Sequence, residues 1–270
     1  MAIETGNFKV KGAGWFPPYL VSIAMTICTA FLVAFTVLPL TAFAQATSVV
    51  PFVGCPSDGQ VGPQPAPTAP KHEVRVPSKI APQLSYYSTS DALSAVLAPR
   101  GWNCFGFYGS SGQYLFVTPE PLDRKANVSL SGAFVTVDYL FGYTSGRHRV
   151  AEVIARLFPV YGGLVRKWIE RSNLPEDFRI TPYKNDAVTP VNNRVARFTT
   201  APNTVGLGAG HRIRPESEPV DGIAILVKEI TADNIPDLLQ VDVRLPGQLN
   251  SLKPHILRQA EIDARHLATH

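Results

Sequence analysis

The chain has 270 residues, 45% hydrophobic and 17% charged, with a formal net charge of +4. That composition excludes a disordered chain, and a charge excess this small and scattered excludes a dedicated nucleic-acid binder. Among six histidines only His266 and His270 have ligand-like spacing, with no third ligand evident, so neither a metal nor any other cofactor is expected.

Taken in order, the chain opens with Lys9 and Lys11, then runs apolar from Tyr19 to Ala44 with no charge until Asp58. Pro39 breaks the run, and Ala42 and Ala44 offer the small side chains a signal peptidase accepts. A signal peptide over 1–44 is therefore expected, which places the body in the periplasm or outside the cell. The run also exceeds the span of about 20 residues a bilayer needs. The alternative is thus a retained anchor, in which case the leader alone touches the membrane. Cys28 leaves with the leader, so Cys55 and Cys104 remain. In an oxidising compartment two remaining thiols read as one disulfide.

Residues 45–84 are dense in Pro and Gly and predict an extended arm, stapled to the body by Cys55. A single domain follows over 85–270. Ser88 and Ser90 are good N-caps, and the spacing of Leu93, Val96 and Leu97 predicts a short helix ending at Pro99 and Gly101. Trp102–Tyr108 and Tyr114–Thr118 predict a hairpin across GSSG. Ala133–Phe141 reads as a strand whose Val135, Val137, Tyr139 and Phe141 face the core. Val150, Val153, Ile154, Leu157 and Phe158 form a helical stripe, bent at Pro159 and continuing to about Arg171.

Residues 173–193 read mostly as loop, with a short strand at FRITPY. Strands are expected over 195–199, 222–230 and 238–245, a helical turn in DNIPDL, and a last helix capped by Asn250 or Ser251. The fold class is α+β, an antiparallel or mixed β-sheet with helices packed on one face.

Two glycine-bearing segments carry the candidate chemistry. Gly142-Tyr143-Thr144-Ser145-Gly146 joins a strand to a helix, as a nucleophile elbow does, but has Thr144 where that motif has serine. Capping by Thr144 or Ser145 is the simpler reading. The free N–H groups there, beside Arg147 and His148, also suit an anion. GLGAG over 206–210, followed by His211, resembles a phosphate loop but leads to Pro215 and a strand, so a mobile or ligand-carrying loop is expected instead. The expectation is an exported envelope protein that binds an unidentified ligand or protein through Thr144, Ser145, Arg147, His148 and His211. The alternative is a hydrolase or acyl transferase using Thr144 or Ser145 with a histidine.

Overall fold

The structure, a computed structural model, describes residues 46–122, 129–171, 184–210, 212–227 and 230–268. The leader, the FRITPY strand, His211 and His270 lie outside them. Among the described residues no helix is long and apolar enough to cross a membrane.

Thirteen strands are described: β1 (Thr47–Val49), β2 (Phe52–Gly54), β3 (Ser57–Gly59), β4 (Arg75–Pro77), β5 (Leu84–Ser88), β6 (Ala95–Pro99), β7 (Asn103–Gly109), β8 (Gly112–Thr118), β9 (Phe134–Leu140), β10 (Asp186–Asn192), β11 (Val195–Thr200), β12 (Val220–Leu226) and β13 (Leu238–Arg244). The helices are α1 (Arg147–Leu157), α2 (Gly162–Arg171) and α3 (Lys253–Leu267). Eight strands form the main sheet, in the order β10-β11-β12-β13-β9-β8-β7-β3. Every pair in it is antiparallel except β3 with β7. A smaller sheet, β2-β5-β6, and the pair β1-β4 complete the α+β architecture.

Period-two alternation sorts the main sheet's side chains between two cores. On one face Val135, Val137 and Tyr139 of β9 join Ile223 and Ile225 of β12 and Val241 and Val243 of β13. They pack with the small sheet and with Ile256 and Ala260 of α3. On the other face Leu140, Leu226 and Leu238 meet Val150, Val153, Ile154 and Leu157 of α1, and Trp168 of α2. Helices therefore cover both faces, not the single face expected. Burying the second face also explains why Phe134, Thr136 and Leu140, the other side of β9, are buried as well.

Five further details depart from expectation. The helix expected before Gly101 is strand β6, paired antiparallel with β5. AVLAP is buried at every position, and such a run carries no period that separates helix from strand. The region read as mostly loop contains β10, an edge strand with Pro190 and a register shift. DNIPDL is not helical; Asp237 fixes it instead, accepting the Gly142 N–H at 2.9 Å and the Tyr139 hydroxyl at 3.2 Å. The last helix follows a 3-10 turn over Gly247–Leu252 and lacks a side-chain cap, with Pro254 supplying its preset φ in the first turn. Pro159 ends α1 instead of bending it: Phe158 and a 3-10 turn at Pro159–Tyr161 separate α1 from α2, where one bent helix to about Arg171 was expected.

Cys55 and Cys104 are joined in a disulfide. Cys55 sits where the chain passes from β2 in the small sheet to β3 at the edge of the large one. There its N–H bonds Ser88 O at 2.8 Å, and Pro56 O accepts from Gly106 N at 2.9 Å.

Candidate functional site

The α1 face of the main sheet is not apolar throughout. Register puts Tyr114, Asp138, Gln240 and Ala224 side by side on β8, β9, β13 and β12. The next rung of the same face carries Phe116, Thr136, Asp242 and Gly222. Asp138 and Asp242 are thus diagonal neighbours on adjacent strands, with Cβ atoms about 7 Å apart or less. Gln240 Nε2 donates to both Asp242 oxygens, at 3.2 and 2.9 Å.

Three walls enclose this polar floor. From α1, Arg149 reaches Glu152 at 2.7 Å, and Glu152 also holds Arg156 at 2.7 Å. Arg212 lies over the Tyr114 ring, 4.1 Å from its centroid. The third wall is the Gly206–Gly210 loop, which closes a cleft of about 440 Å³. A further apolar cluster of Phe116, Leu130, Phe134, Ala209 and Val220 supports that side. Buried Arg244 braces it, bonding Arg214 O at 2.7 Å and Glu216 at 3.2 Å.

Asp186 positions the loop. Its carboxylate accepts from the Thr200 hydroxyl at 2.6 Å and from Leu207 N at 2.9 Å. The Thr200 oxygen in turn accepts from Gly208 N at 3.0 Å. A Cβ at Gly206 would collide with Asp186 Oδ1 and Thr200, so glycine is required by close approach and not by an unusual φ.

The two floor acids differ electrostatically. Burial lifts Asp138 to about 6, against the charges of Arg212 and Arg149. Asp242 is lifted to about 8, first by burial and then by the Asp138 charge, with Gln240 opposing. At neutral pH the pair therefore holds about one proton, on Asp242. None of the described residues donates a hydrogen bond to Asp138, although it is half-buried at the floor of the cleft. A carboxylate so placed needs donors from whatever occupies the cleft.

The residues singled out from sequence lie elsewhere. Thr144, Ser145, Arg147 and His148 sit at the start of α1, and none of them lines the cleft. The N-cap is Gly146. Thr144 Oγ1 bonds Phe141 O at 3.3 Å and accepts from Gly146 N at 3.4 Å, closing the turn before the helix. Ser145 Oγ is exposed and 3.3 Å from Ser110 Oγ. Burial and the Arg147 charge both lower the His148 pKa. Gly142 and Gly146 are fixed by crowding, since a Cβ at either would strike the carbonyls of Ile235 or Ser111. His211 lies between cleft residues Gly210 and Arg212 in sequence but outside the described residues.

Sequence reading passed over Asp138, Gln240 and Asp242. The available signal was polar residues at alternate positions of two otherwise apolar strands, YLF preceded by VTVD and LLQVDVRL. Among the described residues no group of three or more His, Cys, Asp or Glu is arranged to hold a metal ion. No family model, curated protein or solved structure matches the chain.

Proposed function

We propose that this is an exported envelope protein that binds a saccharide in the cleft between α1 and the Gly206–Gly210 loop. The observation that carries the reading is Asp138: an acid with no hydrogen-bond donor among the described residues, on the floor of a ligand-sized cleft. Vicinal hydroxyls are donors and acceptors at once. They match a floor that alternates the ionised Asp138, the amide of Gln240 and the protonated Asp242, with Arg149 and Arg212 as further donors. Rigid strands hold the three floor groups, which lowers the cost of ordering them on binding. Export is supported by the leader pattern and by the Cys55–Cys104 bond, since structural disulfides accumulate in oxidising compartments.

Titration calorimetry against envelope oligosaccharides tests this. Asp138→Asn and Gln240→Ala should each weaken binding by about tenfold or more, the value of a hydrogen bond to a charged or buried group. Ser145→Ala should leave it unchanged. Failure of every neutral, amino and acidic saccharide to bind, or binding indifferent to Asp138→Asn, would reject the assignment.

One observation favours a second reading, hydrolysis of the bound saccharide. Neighbouring carboxyls held apart at about 6 and about 8 have the asymmetry of a general base and a general acid. Release of reducing ends, abolished by both Asp138→Asn and Asp242→Asn, is its expected signature. Binding without such release leaves the first reading alone.

A further inference from the structure

A second cavity, of about 410 Å³, lies on the opposite face of the main sheet, against α3, β5 and β6. One wall is polar. Asp263 of α3 accepts from Gln259 at 2.8 Å and from the Tyr86 hydroxyl at 3.2 Å, and it lies 3.3 Å from His72 Nε2. Both Asp263 oxygens are thus engaged by the protein itself. Its hydrogen bond raises the His72 pKa, with burial opposing. What this wall offers an anion is Lys71, whose Nζ gives one bond to Asp91 O at 2.7 Å and has others to give, and the His72 ring in its protonated form, which donates from Nδ1 while Nε2–H faces Asp263. The rest of the lining is largely apolar, built from Leu93, Ala95, Leu239 and Leu267, with Ser88 and His266 as its other polar groups; the His266 ring lies 5.3 Å from that of His72. The hydroxyl of Tyr139, which also lines the space, is already committed to Asp237.

We propose that this cavity binds a small amphipathic carboxylate, its anion on His72 and Lys71 and its hydrocarbon body against Leu93, Ala95, Leu239 and Leu267. The volume suits a small ligand. An ammonium head would meet the like charge of Lys71, and a neutral head forgoes charge-assisted bonding.

The test is calorimetry and amide-shift mapping on the full, disulfide-intact chain with decanoate, decanol and decylamine as probes. Decanoate should bind, decanol about tenfold more weakly, and decylamine not at all. Amide shifts should fall on Leu93, Ala95 and Leu239. Lys71→Gln and His72→Gln should each weaken decanoate by about tenfold and leave decanol unchanged, while Asp138→Asn changes neither. Equal affinity for decanoate and decanol, no binding of either, or shifts centred on the Asp138 cleft would overturn the proposal. If His72→Gln also loses decanol, its effect lies in the fold. The proposal then stands or falls on Lys71→Gln, at an exposed side chain.

Discussion

Asp242→Asn is the sharpest probe of the cleft, because it separates stability from function by pH alone. Asp242 is only 2% exposed, and its pKa rises from the ordinary 3.8 to about 8. Between those values the folded protein holds a proton that the unfolded chain has released. Stability from this group is therefore complete below about pH 4 and lost as pH rises through about 8. At about 1.4 kcal/mol per tenfold change in proton affinity, that gap corresponds to roughly 6 kcal/mol. Part of it belongs to the neighbouring Asp138 charge, so roughly 2–4 kcal/mol is expected for Asp242 itself. Asparagine imitates the protonated acid, still accepts from Gln240, and does not titrate. Urea melts followed by tryptophan fluorescence should find the variant within about 1 kcal/mol of wild type near pH 5, and roughly 2–4 kcal/mol more stable near pH 9. A variant less stable than wild type near pH 9, or a difference that does not grow with pH, would refute the reasoning.

Three other outcomes are expected. Replacing Cys55 and Cys104 by serine, 49 residues apart, should cost about 4 kcal/mol by loop entropy; thermal melts of the variant, and of wild type with and without reductant, check this. Gly206→Ala forces a methyl group onto Asp186 and Thr200, so it should destabilise by about 1–3 kcal/mol and abolish saccharide binding in the same calorimetric assay. Ala92, at φ 57°, sits in the left-handed region that costs a side chain about 1 kcal/mol. Ala92→Gly should therefore be neutral or stabilising by up to about 1 kcal/mol in urea melts, against the usual destabilising effect of glycine.

Where the sequence carried a clear period, it was legible. The β7–β8 hairpin, β9, β11 to β13 and the α1 stripe broken at Pro159 all follow from alternation or from i, i+3, i+4 spacing. The disulfide follows from cysteine parity once the leader is set aside. Legibility ended where burial is two-sided. Ala95–Pro99 has neighbours on both faces, so no period marks it as strand or helix. β10 failed for the opposite reason: it is mostly exposed and carries Pro190, so it lacks an apolar face. The cleft was hidden because it depends on register. Asp138 falls beside Gln240 and diagonal to Asp242 only once β9 pairs with β13, about 100 residues further along the chain. Glycine and serine motifs drew the eye to the start of α1 instead, where crowding by Ser111 and Ile235 explains the glycines.

The passage of residues 52–59 from one sheet to the other has a consequence for how the chain is made. This stretch leaves the ribosome before its partners do: β2 waits for β5 and β3 for β7. β2 stands without a partner until Ser88 is out and β3 until Gly109 is out, while the Cys55 thiol waits for Cys104. Waiting strands invite pairing with other nascent chains. Pro51, Pro56, Pro63, Pro65, Pro67 and Pro70 stud the interval, each deleting a backbone donor that such mispairing would use. The proline density that reads as a loose arm thus acts as a guard on an unfinished edge, and the Cys55–Cys104 disulfide is the latch that ends the wait.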